Sequence, residues 1–440
     1  MRPLYWKVKL NCVEFCRYIQ FYFFLRRIYN YISGSLCARQ IRCIINKDMG
    51  CFFDFTVMTA GKEQVLMVSR QRLFWRLRPY DVPGSDRAFL RACRDNCAYH
   101  IRHCSGYAAI CAHLGFSPDQ LRTMEDLAKI PVLPTLFFKR KILFSMPRWR
   151  MAMEVTSSGT SGKFSRIGFD WGFFLAEAPM VVNLGFRHHL VSAKPAHCVI
   201  LGYKPHKSNR TGVTRTMFGL THFSPPLSRT YALRMVGNSY VPDLDQVAQA
   251  LKKLEHSHFP TRVIGFPSYL WFGLKRMEEL GLHVQLPRGS RIILAGGWKQ
   301  HADQEVDKAT LYALSERTLG IGEDHINELF GAVEHPVFYN TCPRHHFHIP
   351  AYGRVIIRDP DTLEPLPMGR VGLINLISPL MTATPTLSVM TDDLGYLTPG
   401  ETCGCGIRSP YLTILGRVGM SGIQTCAAGA SELLGKGEAF

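Results

Sequence analysis

The chain has 440 residues, of which 46% are hydrophobic and 20% charged. That balance excludes a disordered or low-complexity protein and supports a full core, in one large domain or two to three smaller ones. The formal net charge of +18 suits an anionic ligand or surface. No nucleic-acid motif accompanies it, so nucleic acid is not expected as a partner. Fourteen cysteines scattered through a chain without a secretory signal exclude a disulfide framework and point to a reducing, cytoplasmic setting.

Residues 1–48 carry nine Lys/Arg against two acids, a local excess of +7. Residues 15–32 are aromatic and apolar, but Arg17, Arg26 and Arg27 interrupt them. The longest uncharged run, from Tyr18 to Leu25, falls far short of the ~20 residues a spanning helix needs. Residues 1–80 read as an N-terminal extension of uncertain structure. It is an added helix, a translation start set too early, or a basic-aromatic helix giving peripheral membrane contact through residues 1–48. Beyond Asp86, Cys93, Cys97, Ile101, Cys104 and Tyr107-Ala108 recur at helical spacing, then Ile110, Ala112 and Leu114, until Gly115 stops the run. Ile130-Pro131-Val132-Leu133-Pro134 then breaks the pattern. Residues 199–202 and 262–265 predict short buried strands, with a helix over 244–254 between them. Residues 291–297 predict another buried strand, ending in glycines. Strands alternating with helices predict an α/β fold with parallel sheet, and ligands in such sheets bind at the carboxyl ends of the strands. Residues 352–417 are richer in short strands and turns and predict a smaller β-rich subdomain.

Thr156-Ser157-Ser158-Gly159-Thr160-Ser161-Gly162-Lys163 is the strongest chemical signal. Its glycines let the backbone approach a ligand closely, its amides and hydroxyls can wrap a phosphate, and Lys163 adds positive charge. The run does not fit the P-loop pattern G-x-x-x-x-G-K-[ST]. Further on, Gly296 and Gly297 at a strand end would admit a flat ring, with Lys299 in reach of a phosphate. Phe330 offers a stacking face, Gly331 allows close approach, and Glu334 is a hard oxygen ligand suited to Mg²⁺. Thr391-Asp392-Asp393 predicts a turn whose carboxylate accepts ribose hydroxyls. Gly416-Arg417 follows, where a cation would reach phosphate or ribose. Cys403 and Cys405 form a C-x-C, and with Cys342 and His348 they make a tetrahedral Zn²⁺ set in which His345 and His346 compete. His188, His189 and residues 206–210 are unranked candidates for the neighbourhood of the substrate.

This succession resembles the adenylate-forming superfamily. More narrowly it resembles the acyl-protein synthetases of the LuxE type, relatives of phenylacetate–CoA ligase, over residues 85–434. Supporting residues include Ile130 to Pro134, Phe137-Phe138-Lys139, His348-Ile349-Pro350 and Arg358-Asp359. The resemblance implies an acyl-CoA-synthetase-like N-terminal domain over 85–417. A short tail, 418–440, stands in place of the CoA ligases' full C-terminal lobe. It also implies that residues 156–162 hold the β- and γ-phosphates of ATP and that Gly296, Gly297 and Phe330 sandwich adenine. Glu334 would bind Mg²⁺, Asp393 the ribose, and Arg417 would sit at the hinge. Cys426, in the tail, would accept the acyl group as a thioester; a thiolate is the right nucleophile and its small neighbours leave it accessible. Phenylacetate–CoA ligase relatives carry a similar zinc site. Phe330 and Val333 depart from the family's usual Tyr and Thr, and the Val removes a hydroxyl able to contact the α-phosphate. The implied activity is ATP-dependent acyl-protein synthesis from a long-chain fatty acid or another carboxylic acid, with an acyl-reductase-like or acyltransferase-like protein as acceptor. The alternatives are a phenylacetate–CoA-type ligase and a non-catalytic relative.

Overall fold

The computed structural model describes residues 42–46, 50–54, 69–156, 165–206, 209, 211–237 and 239–417. The chain divides into two units, Met1–Val65 and Leu66–Phe440. In the first, β1 (Arg42–Asn46) pairs antiparallel with β2 (Gly50–Asp54). All other described elements belong to the second. Among the described residues no helix is long and apolar enough to cross a membrane.

Helix α1 (Val82–His103) starts where the Asp81 carboxylate accepts a hydrogen bond from the Gly84 amide, with proline in the first turn; α2 (Ser105–His113) follows. Of the apolar positions expected at helical spacing, Cys93, Cys97, Cys104 and Tyr107 face inward and Ile101 and Ile110 are half-buried, whereas Ala112 and Leu114, at the end of the second helix, are exposed. Phe89, Cys93, Cys97, Tyr107 and Cys111 are buried in the largest core cluster, which reaches back to Leu73 and Phe74. Strand β3 (Leu133–Pro134) and helix α3 (Thr135–Arg140) come next. An antiparallel ribbon, β4 (Met151–Thr156) with β5 (Arg166–Asp170), leads into α4 (Trp171–Arg187).

The seven-stranded sheet runs in the order β12-β11-β10-β9-β6-β7-β8. Its strands are β6 (Ala196–Tyr203), β7 (Pro226–Val236), β8 (Ser239–Pro242), β9 (Thr261–Gly265), β10 (Arg291–Ala295), β11 (Ile326–Ala332) and β12 (His335–Asn340). The middle five pair in parallel and the two edges are antiparallel. Helices α5 (Gly212–Leu220), α6 (Leu244–Leu254), α7 (Pro267–Glu279) and α8 (Lys308–Leu319) connect the strands. Both faces are covered, which is why β6, β9 and β10 are near-continuous apolar runs. Val199, Leu201, Val263, Ile292 and Leu294 pack under α6, α7 and α8, while Cys198, Ile200, Ile264 and Ile293 pack on the other face.

The β-rich segment forms a second sheet from β13 (Phe347–His348), β14 (Arg354–Arg358), β15 (Gly372–Ile377), β16 (Ser388–Thr398) and β17 (Tyr411–Arg417), ordered β13-β17-β16-β15-β14. Strand β3 joins it in parallel, with Leu133 beside Val389 and Pro134 beside Met390. The proline-bounded break in the sequence is therefore a seam that fastens α3 onto β16. Thr391-Asp392-Asp393 is not the turn its composition suggested. It lies inside β16, at an irregularity where the β15 pairing steps from Leu394 with Leu373 to Met390 with Asn375 and passes over these three residues.

Candidate active site and metal centre

Strands β9, β10 and β11 end together at one edge of the sheet. A Cβ on Gly265 would stand 2.3 Å from the Leu201 carbonyl oxygen, so β6 and β9 approach more closely there than any other residue allows. Gly296 turns β10 outward with φ of +79, and Gly297 is exposed with open space where a side chain would be. The last β10–β11 pair is Ala295 with Leu329, so the register carries Gly296 alongside Phe330. The Phe330 ring is half-buried, 5.9 Å from Tyr339 and 6.0 Å from Phe347. Gly331 is exposed at a bulge in the β11–β12 pairing. Two exposed glycines beside one aromatic ring are a suitable seat for a flat heterocycle.

Glu334 occupies the turn after β11 and is almost fully buried. Burial raises its carboxyl above the ordinary carboxylate range; a hydrogen bond from Ser165 and the Lys139 ammonium oppose the rise, and the Asp392 carboxylate adds to it. These four residues come from four separate places in the chain. Lys139 lies on α3, where Thr135 donates to Asp392 Oδ2 at 3.3 Å, so the β3–β16 seam delivers both groups. Ser165 is the residue immediately before β5. Strand β4 ends at Thr156, which bridges to Thr211, and Val333 packs into the space beside Gly212 with Val155. Thr156 thus lies near Val333, and Ser165 lies at Glu334. Ser157, Ser158, Gly159, Thr160, Ser161, Gly162 and Lys163 lie outside the described residues, as does Cys426. Lys299 begins the 3₁₀ turn after β10. Asp393 is half-buried on β16, its amide donates to Thr391 Oγ1 at 3.3 Å, and its ladder partner is Arg417 at the end of β17.

Lys139 was quoted in the sequence only as part of a family pattern, and Ser165 and Thr211 were not singled out. Thr211 anchors a hydroxyl cluster: it donates to Asn209 Oδ1 at 2.7 Å and lies 2.9 Å from Thr214. His188 belongs to other surroundings. It is buried against the Tyr80 hydroxyl, and Tyr80 stands edge-on to both His188 and His348. Burial lowers the His188 imidazole to about 3, so it is neutral at physiological pH.

The donor atoms of Cys342, His348, Cys403 and Cys405 all lie within 4.8 Å of one another. Cys342 Sγ is 3.6 Å from Cys403 Sγ, and Cys405 Sγ is 3.2 Å from His348 Nε2. A tetrahedral zinc with Zn–S bonds of about 2.3 Å spaces its sulfurs about 3.8 Å apart, so this set fits. His348 Nδ1 donates to the Ser409 carbonyl at 2.7 Å, which aims the Nε2 lone pair at the cluster. Backbone amides of Arg344 and Ile407 point at Cys342 and Cys405 sulfurs, at 3.3 and 3.5 Å. Of the competing histidines, His345 turns to Glu323 and Tyr312. His346 reaches Cys403 alone, at 3.1 Å, and stacks on Tyr411. Burial pushes the Cys403 thiol up to about 12.

The family described as acyl-protein synthetase, LuxE, matches residues 56–435. The long-chain-fatty-acid–luciferin-component ligase of Vibrio harveyi is 26% identical over 341 residues, covering 76% of this chain and 85% of that protein. Its counterpart in Aliivibrio fischeri is 25% identical over 353 residues, covering 78% and 89%. Phenylacetate-coenzyme A ligase of Aromatoleum evansii is 26% identical over 296 residues, covering 65% and 60%. In fold, a 2-hydroxyisobutyryl-CoA ligase in complex with its acyl-adenylate and CoA superposes with a TM-score of 0.61 at 17% identity, over 78% of this chain and 77% of the other. With its parallel sheet, its strand-end glycines and a family match spanning most of its length, the chain belongs to the LuxE family of acyl-protein synthetases, within the ATP-using adenylate-forming ligases.

Proposed function

We propose that this chain activates a long-chain fatty acid as an acyl-adenylate and passes the acyl group to a protein thiol. The convergence of Ser165, Lys139 and Asp392 on the buried Glu334 carries this reading. When bound, Mg²⁺–ATP would supply an activated adenylyl group. Glu334, nearly dehydrated and beside a lysine, holds the metal on the phosphates. Thr156, the hydroxyls and amides of 157–162, Lys163 and Lys299 neutralise the phosphate oxygens. Gly296, Gly297, Phe330 and Gly331 seat the adenine, Asp393 accepts from the ribose hydroxyls, and Arg417 marks the hinge. The fatty carboxylate oxygen bonds to the α-phosphorus as pyrophosphate leaves. The Cys426 thiolate then attacks the acyl carbon, AMP leaves, and an acceptor protein, an acyl-reductase or acyltransferase by chemistry, takes the acyl group from the thioester. Cys342, His348, Cys403 and Cys405 would hold a structural zinc, since four protein donors fill a tetrahedron and leave no open position.

The test is incubation with ATP, Mg²⁺ and labelled fatty acids, followed by neutral hydroxylamine, in wild type and Cys426→Ala. Label present in the wild type, released by hydroxylamine and absent from the variant is the expected result. The phenylacetate-coenzyme A ligase relatives favour a second reading, in which CoA takes the acyl group. Fatty-acid-dependent ATP–pyrophosphate exchange without a protein thioester, but with an acyl-CoA product, would select it. Absence of exchange with every acid would leave a non-catalytic nucleotide-binding relative.

A further inference from the structure

We infer that a tryptophan-and-arginine face at one end of the β4–β5 ribbon seats this protein on an anionic lipid surface. Trp149 sits on the turn Arg148–Arg150 with 83% of its surface exposed. The ribbon register pairs Met151 with Asp170, so the residue before β4 and the residue after β5 share one end of the ribbon. Trp171, the first residue of α4, is exposed there too. One helical turn along α4, the Leu175 carbonyl accepts a 3.0 Å hydrogen bond from the indole of a third exposed tryptophan, Trp75. Trp298, by contrast, is buried.

The chain around Trp149 is basic, and the acids nearest the indoles are paired, Glu154 with Arg148 and Arg166 and Asp170 with Arg70. Between Leu127 and Met153 the chain contains no Asp or Glu, while Lys129, Lys139, Arg140, Lys141, Arg148 and Arg150 fall within it. Arg140, Lys141, Arg148 and Arg150 are exposed, as is Ile142. The Arg148 guanidinium lies 5.7 Å over the Phe144 ring and shares the Glu154 carboxylate with Arg166. Indoles that project from a backbone turn and a helix start prefer the headgroup layer to water, and neighbouring arginines are drawn to anionic lipid. A protein partner would need a fitted surface for three separately projecting rings, whereas a fluid headgroup layer accommodates them one by one. The ribbon also links this face to the candidate active site. Six residues of β4, rising about 3.3 Å each, place Thr156 about 17 Å from the tryptophan end. The inference rests on this surface alone and holds whichever acid and acceptor the site uses.

The full chain would be sedimented with phosphatidylcholine vesicles and with vesicles enriched in phosphatidylglycerol. Wild type should partition onto the anionic vesicles and be released by high salt. Trp149→Ser combined with Trp171→Ser should weaken partitioning roughly tenfold or more, and Arg148→Gln with Arg150→Gln should weaken it on anionic vesicles. Lipid brominated near the headgroup should quench a fluorescence component that Trp149→Phe removes, without loss of binding. All these side chains are exposed, so unchanged melting curves would confirm that the variants fold. Wild-type binding that the tryptophan variant retains in full would overturn the inference and place contact in residues 1–48. Failure of the wild type to bind either vesicle, including the case where these variants instead lose an acidic protein, would overturn it as well.

Discussion

Glu334 is the residue whose replacement separates the proposed role from a merely structural one. Glu334→Gln keeps the volume and can still meet Ser165, but it removes the charge. A carboxylate that holds Mg²⁺ on the phosphates during adenylyl transfer in a dry site is worth on the order of a hundredfold in rate, about 2.7 kcal/mol. Stability should move the other way. The folded carboxyl titrates above its unfolded value because burial disfavours its charge. The folded protein therefore binds this proton more tightly. The stability it contributes is fully present below the ordinary carboxylate range and is lost as pH rises through the shifted value. Gln has no proton to lose, so the variant should match wild type in mild acid and melt higher at neutral pH. The assays are fatty-acid-dependent ATP–pyrophosphate exchange and thermal unfolding across pH. Mg²⁺–ATP should raise the melting temperature of wild type and leave that of Glu334→Gln nearly unmoved. Exchange within about twofold of wild type, with melting lowered at neutral pH, would refute the reasoning and make Glu334 a packing residue.

Purified protein should contain about one zinc per chain, released on acidification because the ligands must lose protons to bind. Cys403→Ser should lower both the zinc content by elemental analysis and the melting temperature, while His345→Ala should leave the zinc in place. Gly265→Ala forces a Cβ to 2.3 Å from a backbone oxygen that cannot swing aside. It should cost about 1–3 kcal/mol by denaturant unfolding, with exchange activity falling further because β6 and β9 end at the site. Burial alone lifts the Glu177 carboxyl on α4 to about 8. Glu177→Gln should therefore raise the melting temperature increasingly from just above the ordinary carboxylate range up to that pH, and change it little in stronger acid.

The parts of the fold that could be read from the sequence are those whose signal is local. Residues 199–202, 262–265 and 291–295 announce buried parallel strands because, past Arg262 and Arg291 at their starts, their side chains are apolar or absent, as a sheet covered twice requires. The metal set was equally visible, since C-x-C fixes two sulfurs by covalent spacing and the third cysteine lies six residues before its histidine. Choosing His348 over His345 and His346 needed more than spacing. His348 is fully buried on a two-residue strand and has its other ring nitrogen occupied by the Ser409 carbonyl. Aspartate as a turn former predicts a turn at Thr391-Asp392-Asp393, whereas the segment lies within β16 at a bulge that the β15 pairing passes over, with only Asp393 paired to β17.

The acid–base surroundings of Glu334 were the least legible. Lys139 and Asp392 are 253 positions apart in the sequence, and each is a plausible solvated charge where it stands. What joins them is the two-residue parallel pairing of Leu133 and Pro134 with Val389 and Met390. Pro134 lacks an amide and can close only one side of a ladder, so the strand stops there and α3 begins at Thr135. That stop fixes where Thr135 meets Asp392 and the direction in which α3 carries Lys139. A short strand with almost no pattern of its own thus decides which charges face the buried carboxylate, and its message is written in the partner strand rather than in itself.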